Sequence, residues 1–133
     1  MPHARIITWN VASLMSLLPT VKKNFGSFAG WLNSTEADVI AVQETKASIK
    51  DIPEDVACPD GWDSFWSFST AKKGLNGVAT FVRRGHLSTI EGISDPLDHE
   101  LDAEGRCVIV RCSTPNSKKI SIVNVYAPNS GER

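Results

Sequence analysis

Short apolar runs, each ending in polar or glycine-containing breaks, dominate the pattern along the chain. Residues 5–10 (RIITWN) read as a strand that stops at an asparagine. From Val21 onward, Val21, Phe25, Phe28 and Leu32 recur at helical spacing and predict one amphipathic helix, weakened by Gly26 and Gly30. Residues 39–44 (VIAVQE) form a β-branched run that reads as a buried strand. Pro53 and Pro59 break the next stretch into a short helical turn and loop. Residues 63–69 (DSFWSFS) read as a strand. Asn76-Gly77 is a turn signal that feeds a further strand at 78–83. Residues 85–101 are polar and read as loop. RCVIVRC and KKISIVNVY are two more strands, joined by the hairpin loop STPNSKK. A β-α-β start followed by successive strands predicts an α/β or α+β sandwich in one domain.

Composition narrows this reading only a little. The 133 residues are 41% hydrophobic and 22% charged, with net charge -1, so the chain is no histone-like polycation. A near-neutral balance leaves nucleic acid open as a substrate, because a nuclease needs only a local basic rim. Cys58, Cys107 and Cys112 are odd in number and irregularly spaced, which is not a disulfide framework. Cys107 and Cys112 lie five apart in one strand and so face opposite ways. The first ten residues carry no uninterrupted apolar core of a secretory signal. No apolar run approaches a membrane span, so no membrane partner is expected.

The chemistry concentrates where strands end. Asn10, Gln43 and Glu44, and Asn124 to Asn129 (NVYAPN) all follow apolar runs. Ligands of open α/β sheets sit beyond the carboxyl ends of strands. A glutamate beside a side-chain amide suits Mg²⁺, which takes one or two carboxylates, several waters and phosphate oxygens. It does not suit zinc, which prefers His and Cys. Tyr126 and Asn129 would then offer a phenol and an amide to a developing oxyanion. Each residue also has a plain structural reading. Glu44 could cap a strand or pair with Lys46, Asn10 could cap a turn, and Tyr126 could be a core aromatic.

Five segments in order, TWNVASL, ADVIAVQETK, GVATFVRR, LDAEGR and IVNVYAPNSGER, resemble the exonuclease III family of apurinic/apyrimidinic endonucleases. That family lies within the endonuclease/exonuclease/phosphatase superfamily, and the apurinic endonuclease 2 branch is the nearest in pattern. The resemblance implies the N-terminal half of a four-layer α/β sandwich, with residues 1–133 a partial domain that stops after the tyrosine strand. It implies Mg²⁺, with Mn²⁺ as alternative, and hydrolysis of phosphodiesters at abasic sites or 3′ ends of double-stranded DNA. Glu44 matches the metal-binding carboxylate and Asn10 the asparagine that helps bind metal and organise the site. Tyr126 matches the tyrosine beside the scissile phosphate, and Asn129 a phosphate-contacting amide. Lys46, Lys72, Gly74, Asn76 and Arg106 fall in segments that contact phosphate or the DNA backbone, Arg106 with a structural role as its alternative.

Departures accompany these matches. Leu75 stands where a tyrosine is common, and Ala12 where a glycine or aspartate is common. The later motifs that complete the metal shell and activate water have no counterpart here. His99 precedes LDAEGR in a polar stretch and reads as a solvated histidine rather than a replacement base. The resemblance thus implies a chain inactive alone, with the inner face of its sheet exposed and prone to self-association. It also implies a nuclear protein, or a mitochondrial one, and not a secreted one. Two alternatives stand beside it. One is another phosphoesterase of the superfamily, such as a retroelement endonuclease. The other is a non-catalytic short form that binds DNA or a partner.

Overall fold

The computed structural model describes residues 3–128, and of Ile90 and His99 the backbone alone. The first sheet has four strands in the order β1-β2-β4-β3: β1 (Ile6–Asn10), β2 (Val39–Gln43), β4 (Val78–Arg83) and β3 (Trp62–Ser67). β1 runs parallel to β2, with Asn10 opposite Gln43, while β4 is antiparallel to both its neighbours. The second sheet is an antiparallel meander of β5 (Ser88–Ser94), β6 (Cys107–Ser113) and β7 (Lys119–Val125).

Period-two alternation sends β2 and β4 side chains to two different cores. Ile40, Val42, Ala79 and Phe81 face the helices α1 (Leu14–Phe25), α2 (Phe28–Ser34) and α3 (Glu54–Ala57), meeting Leu14, Val21, Phe28, Leu32 and Val56. Val39 and Val82 face the second sheet and meet Val110, Cys112 and Ile122. β2 is buried on both sides, which is why it lacks alternation in sequence. The two cysteines of β6 are also sorted by this register. Cys112 packs between the sheets, and Cys107 points to the other face of β6.

Three expectations are corrected. The single helix beginning at Val21 is two helices, and the first begins at Leu14. Gly26 ends α1 at φ 79°, donating its N–H to the Lys22 carbonyl, and Ser27 caps α2 by accepting the Gly30 N–H. The apolar spacing continues through the break because both helices cover the same sheet. The polar stretch 85–101 contains β5 and the short helix α4 (His99–Asp102). β5 hides from pattern reading because its register shifts between Thr89 and Glu91, which breaks the period of two. Gly92 is needed there, since a Cβ would lie 2.2 Å from Phe65 Cδ1.

The third correction concerns layers. The inner sheet face is covered, because β5–β7 of this same chain pack onto it. The outer face of the second sheet carries bare apolar side chains, with Val123 and Val125 57% and 50% exposed. The described residues therefore make three layers, helices, sheet and sheet. All three free ends that carry candidate chemistry, after β1, after β2 and after β7, lie at one pole.

Candidate active site

Glu44 follows the last residue of β2 and adopts φ 54°, and Lys46 adopts φ 52°. Left-handed backbone costs a non-glycine residue roughly 1 kcal/mol or more, so two such residues in three need outside support. Thr45 between them supplies it. It is fully buried, its N–H donates to Gly77 O at 3.0 Å, and its carbonyl accepts the Leu14 N–H at 2.9 Å. The Lys46 N–H donates to Asn76 O at 2.8 Å. Folding Thr45 inward leaves Glu44 and Lys46 on the same side, with Lys46 Nζ 3.6 Å from Glu44 Oε2.

Asn10 closes the other side of the carboxylate. Its Nδ2 donates to Glu44 Oε1 at 2.8 Å, and its Oδ1 accepts the Ala12 N–H at 3.0 Å. Each partner fixes which end of the amide is which, since a backbone N–H needs an acceptor and a carboxylate a donor. Both the cap reading of Asn10 and its role beside Glu44 are therefore met by one side chain. The Tyr126 hydroxyl makes a further hydrogen bond with Glu44. Its backbone N–H donates to Arg106 O at 2.8 Å, which continues the β7–β6 ladder past Val125.

The asparagine hydrogen bond is the largest influence on Glu44 and holds its carboxyl below the ordinary carboxylate range. Partial burial opposes this, and the Tyr126 hydroxyl and the Lys46 ammonium add to the lowering. Because the folded state holds the proton less tightly than the unfolded chain, this stabilisation is complete above the unfolded value. It is lost as pH falls through the folded one. Glu44→Gln should thus melt below the parent near neutral pH, with the gap closing in acid. Thermal melts of both proteins from about pH 7 to about pH 3 measure it. A gap that widens in acid contradicts this assignment.

The loop that precedes β4 lies alongside. Lys72 N–H donates to Ser69 Oγ at 3.2 Å, Gly74 has φ 76°, and Lys73 Nζ lies 3.8 Å from Asp51. Asn76 is buried, and its Nδ2 donates to Glu104 O at 3.0 Å, so its side chain fastens one loop to another from within. Gly77 N–H donates to Gly105 O. Arg106 is largely buried, its Nη2 3.0 Å from Glu104 Oε1, and its Nε has no hydrogen-bond partner among the described residues. Asn129 lies outside the described residues.

Two functional positions carry more than the sequence suggested. Asn124 is buried, and its Nδ2 reaches Ala79 O, Thr80 Oγ1 and Val42 O at 2.9, 3.1 and 3.2 Å. Its Oδ1 accepts from Gln43 Nε2, which also donates to Thr8 Oγ1. The signal was an amide at an inward position of an otherwise β-branched strand, in register with Ile120 and Ile122. Gly77 is the second, with φ 91° and a position where a Cβ would lie 2.3 Å from Thr45 Oγ1.

Among the described residues the candidate metal donors at the pole are oxygens and amides, with Glu44 as the carboxylate. Among the described residues no three His, Cys, Asp or Glu side chains gather as metal ligands. One carboxylate fits a hard cation that keeps its waters and completes its shell with phosphate, and does not fit a closed protein cage.

Comparison with known proteins agrees with this architecture. The chain is 28% identical to the DNA-(apurinic or apyrimidinic site) endonuclease 2 of Bos taurus, covering 95% of this chain and 31% of that protein. It is 32% identical to the exodeoxyribonuclease of Bacillus subtilis (strain 168), covering 95% and 43%. It superimposes on the crystal structure of an AP endonuclease from Leishmania major with TM-score 0.70 at 29% identity, covering 97% of this chain and 41% of that one. The chain thus spans less than half the length of these relatives. The model of the Endonuclease/Exonuclease/phosphatase family matches residues 7–116, most of the chain, and the chain belongs to that family.

Proposed function

We propose that this chain forms part of a metal-dependent DNA-repair nuclease that hydrolyses phosphodiesters at abasic sites or 3′ ends of double-stranded DNA. The observation that carries the reading is one cluster: a carboxylate held by Asn10, Tyr126 and Lys46 at the ends of three strands. Similarity to the endonuclease 2 and exodeoxyribonuclease named above supports the choice of DNA.

Glu44, with Asn10 behind it, would hold Mg²⁺ or Mn²⁺. When bound, the cation neutralises charge on the phosphate and the leaving oxygen. Asn10 sets the carboxylate's orientation. Lys46 presents a positive charge where phosphate oxygens would lie, and the Tyr126 O–H, given to Glu44 in this structure, would turn to phosphate once a cation occupies the carboxylate. The loop around Lys72 and Gly74 offers backbone and ammonium groups to a DNA strand, with Asn76 bracing it. Arg106 supports Tyr126 through its carbonyl.

Attack by water also needs a general base. Glu44 is engaged by three partners, and no group of three or more His, Cys, Asp or Glu side chains forms among the described residues. On this reading the chain binds metal and DNA through the described residues and does not turn over alone. Mn²⁺ added to isotope-labelled protein should broaden resonances around Asn10 and Glu44, and Glu44→Gln should abolish the effect. An abasic-site duplex should stay intact with Mg²⁺ and with EDTA alike. Cleavage that persists in EDTA sinks the metal reading, and Mg²⁺-dependent turnover sinks the inactivity.

A further inference from the structure

We infer a second, small-anion site at the opposite pole of the sandwich, built to take a phosphate-bearing small molecule. Strand direction brings its parts together. β1 starts there after Ala4, β4 exits there toward His86, and the β6–β7 hairpin turns there between Ser113 and Lys119. Ladder pairing sets Ser88 beside Ser113 and Ser113 beside Lys119. Between these ends lies a hollow of about 280 Å³, close to the lower end of the range for small organic ligands.

The lining has two parts. Leu87 and Ile120, both packed into the core between the sheets, give it an apolar floor. His3, His86, Lys118 and Lys119 stand around it, and no carboxylate lines it among the described residues. This is a local excess of positive charge in a chain whose net charge is -1. Six lysines and arginines elsewhere are spent on ion pairs with Asp or Glu, and neither Lys118 nor Lys119 is among them for the described residues. Glu91, in the adjoining hollow that Lys119 also borders, is paired with Arg111 at 3.5 Å. The hairpin itself is held by Thr114 N–H to Lys118 O and Lys118 N–H to Thr114 Oγ1, which fixes the backbone that carries both lysines.

Two lysines and two histidines lining a hollow with an apolar floor suit a dianion, and a phosphomonoester with a ring fits both halves. β7 separates this hollow from Tyr126 by roughly 20 Å. Set at the far end of β7 from Glu44, the hollow would take a separate molecule, and the inference stands independently of the nuclease reading.

The test uses isotope-labelled chain titrated with inorganic phosphate and with adenosine 5′-monophosphate, following backbone amides of residues 86–88 and 114–120. Saturable shifts confined to these residues are expected with both probes. They should weaken about tenfold or more in Lys118→Gln/Lys119→Gln, whose exposed positions leave the fold intact by circular dichroism. Tighter binding of the nucleotide would show that the floor reads the ring, and equal binding that the phosphate group alone is read. Shifts that do not saturate, that persist in the double variant, or that appear only around Glu44 and Lys46 overturn the site.

Discussion

Asn124→Leu is expected to lower the unfolding free energy by about 3–5 kcal/mol, because it strands several buried polar groups together. The leucine would fill nearly the same space between the sheets, so lost packing is not the cause. The cause is that Asn124 is 2% exposed and serves the Ala79 and Val42 carbonyls, the Thr80 hydroxyl and the Gln43 amide together. A neutral hydrogen bond contributes only about 1 kcal/mol net, but a buried group left without a partner costs about 1–3 kcal/mol. Gln43 keeps Thr8 as a second acceptor, which limits its share. Urea unfolding, read as a midpoint shift at constant slope, measures the loss. A change under about 1 kcal/mol would mean that water enters to serve these groups and that the amide is not what joins the sheets.

Gly77→Ala should cost about 2–4 kcal/mol and disable metal binding at Glu44, although residue 77 touches neither metal nor substrate. Its φ of 91° is a backbone conformation that alanine rarely adopts, and its Cβ would lie 2.3 Å from Thr45 Oγ1. Thr45 is the buried residue that turns Glu44 and Lys46 outward, so it cannot move without turning them too. A double variant separates the two causes. In Gly77→Ala/Thr45→Ala the clashing oxygen is gone, and the next contacts, at 3.6 Å, are ordinary. Stability should then recover by more than the Thr45→Ala single variant predicts, leaving only the backbone strain. Strict additivity of the two single variants, read by urea unfolding, would show that the close approach carries none of the cost.

Both predictions concern residues whose importance lies in where strands from distant parts of the chain meet. Legibility in the sequence follows the same division. β2, β4, β6 and β7 are dense in β-branched residues, and the structure places them within a residue or so of the pattern. Glu44, Asn10 and Tyr126 stood out because a polar group at the end of an apolar run has few structural reasons to be there. β5 escapes the pattern because a bulge breaks its alternation, and the start of α1 escapes it because one apolar stripe runs through two helices and the glycine that separates them.

The sequence by itself determined the elements that rest on local pattern and composition: which runs are strands, where polar chemistry follows them, and the order in which they come. These depend on side-chain period and on turn chemistry within a few residues. Tertiary structure alone decided three things. It decided that β5–β7 cover the inner face of the first sheet, since any alternating strand offers an apolar side to whatever partner topology supplies. It decided that Asn76 and Asn124 are buried fasteners, since an amide in sequence looks the same whether it meets water or a carbonyl 45 residues away. And it decided that Glu44 faces Asn10 and Tyr126, through a turn with two left-handed residues, held by a hydrogen bond from the Leu14 N–H and by hydrogen bonds to the Asn76 and Gly77 carbonyls. Those contacts join positions far apart in the chain, and only closure of the fold offsets the strain they hold in place.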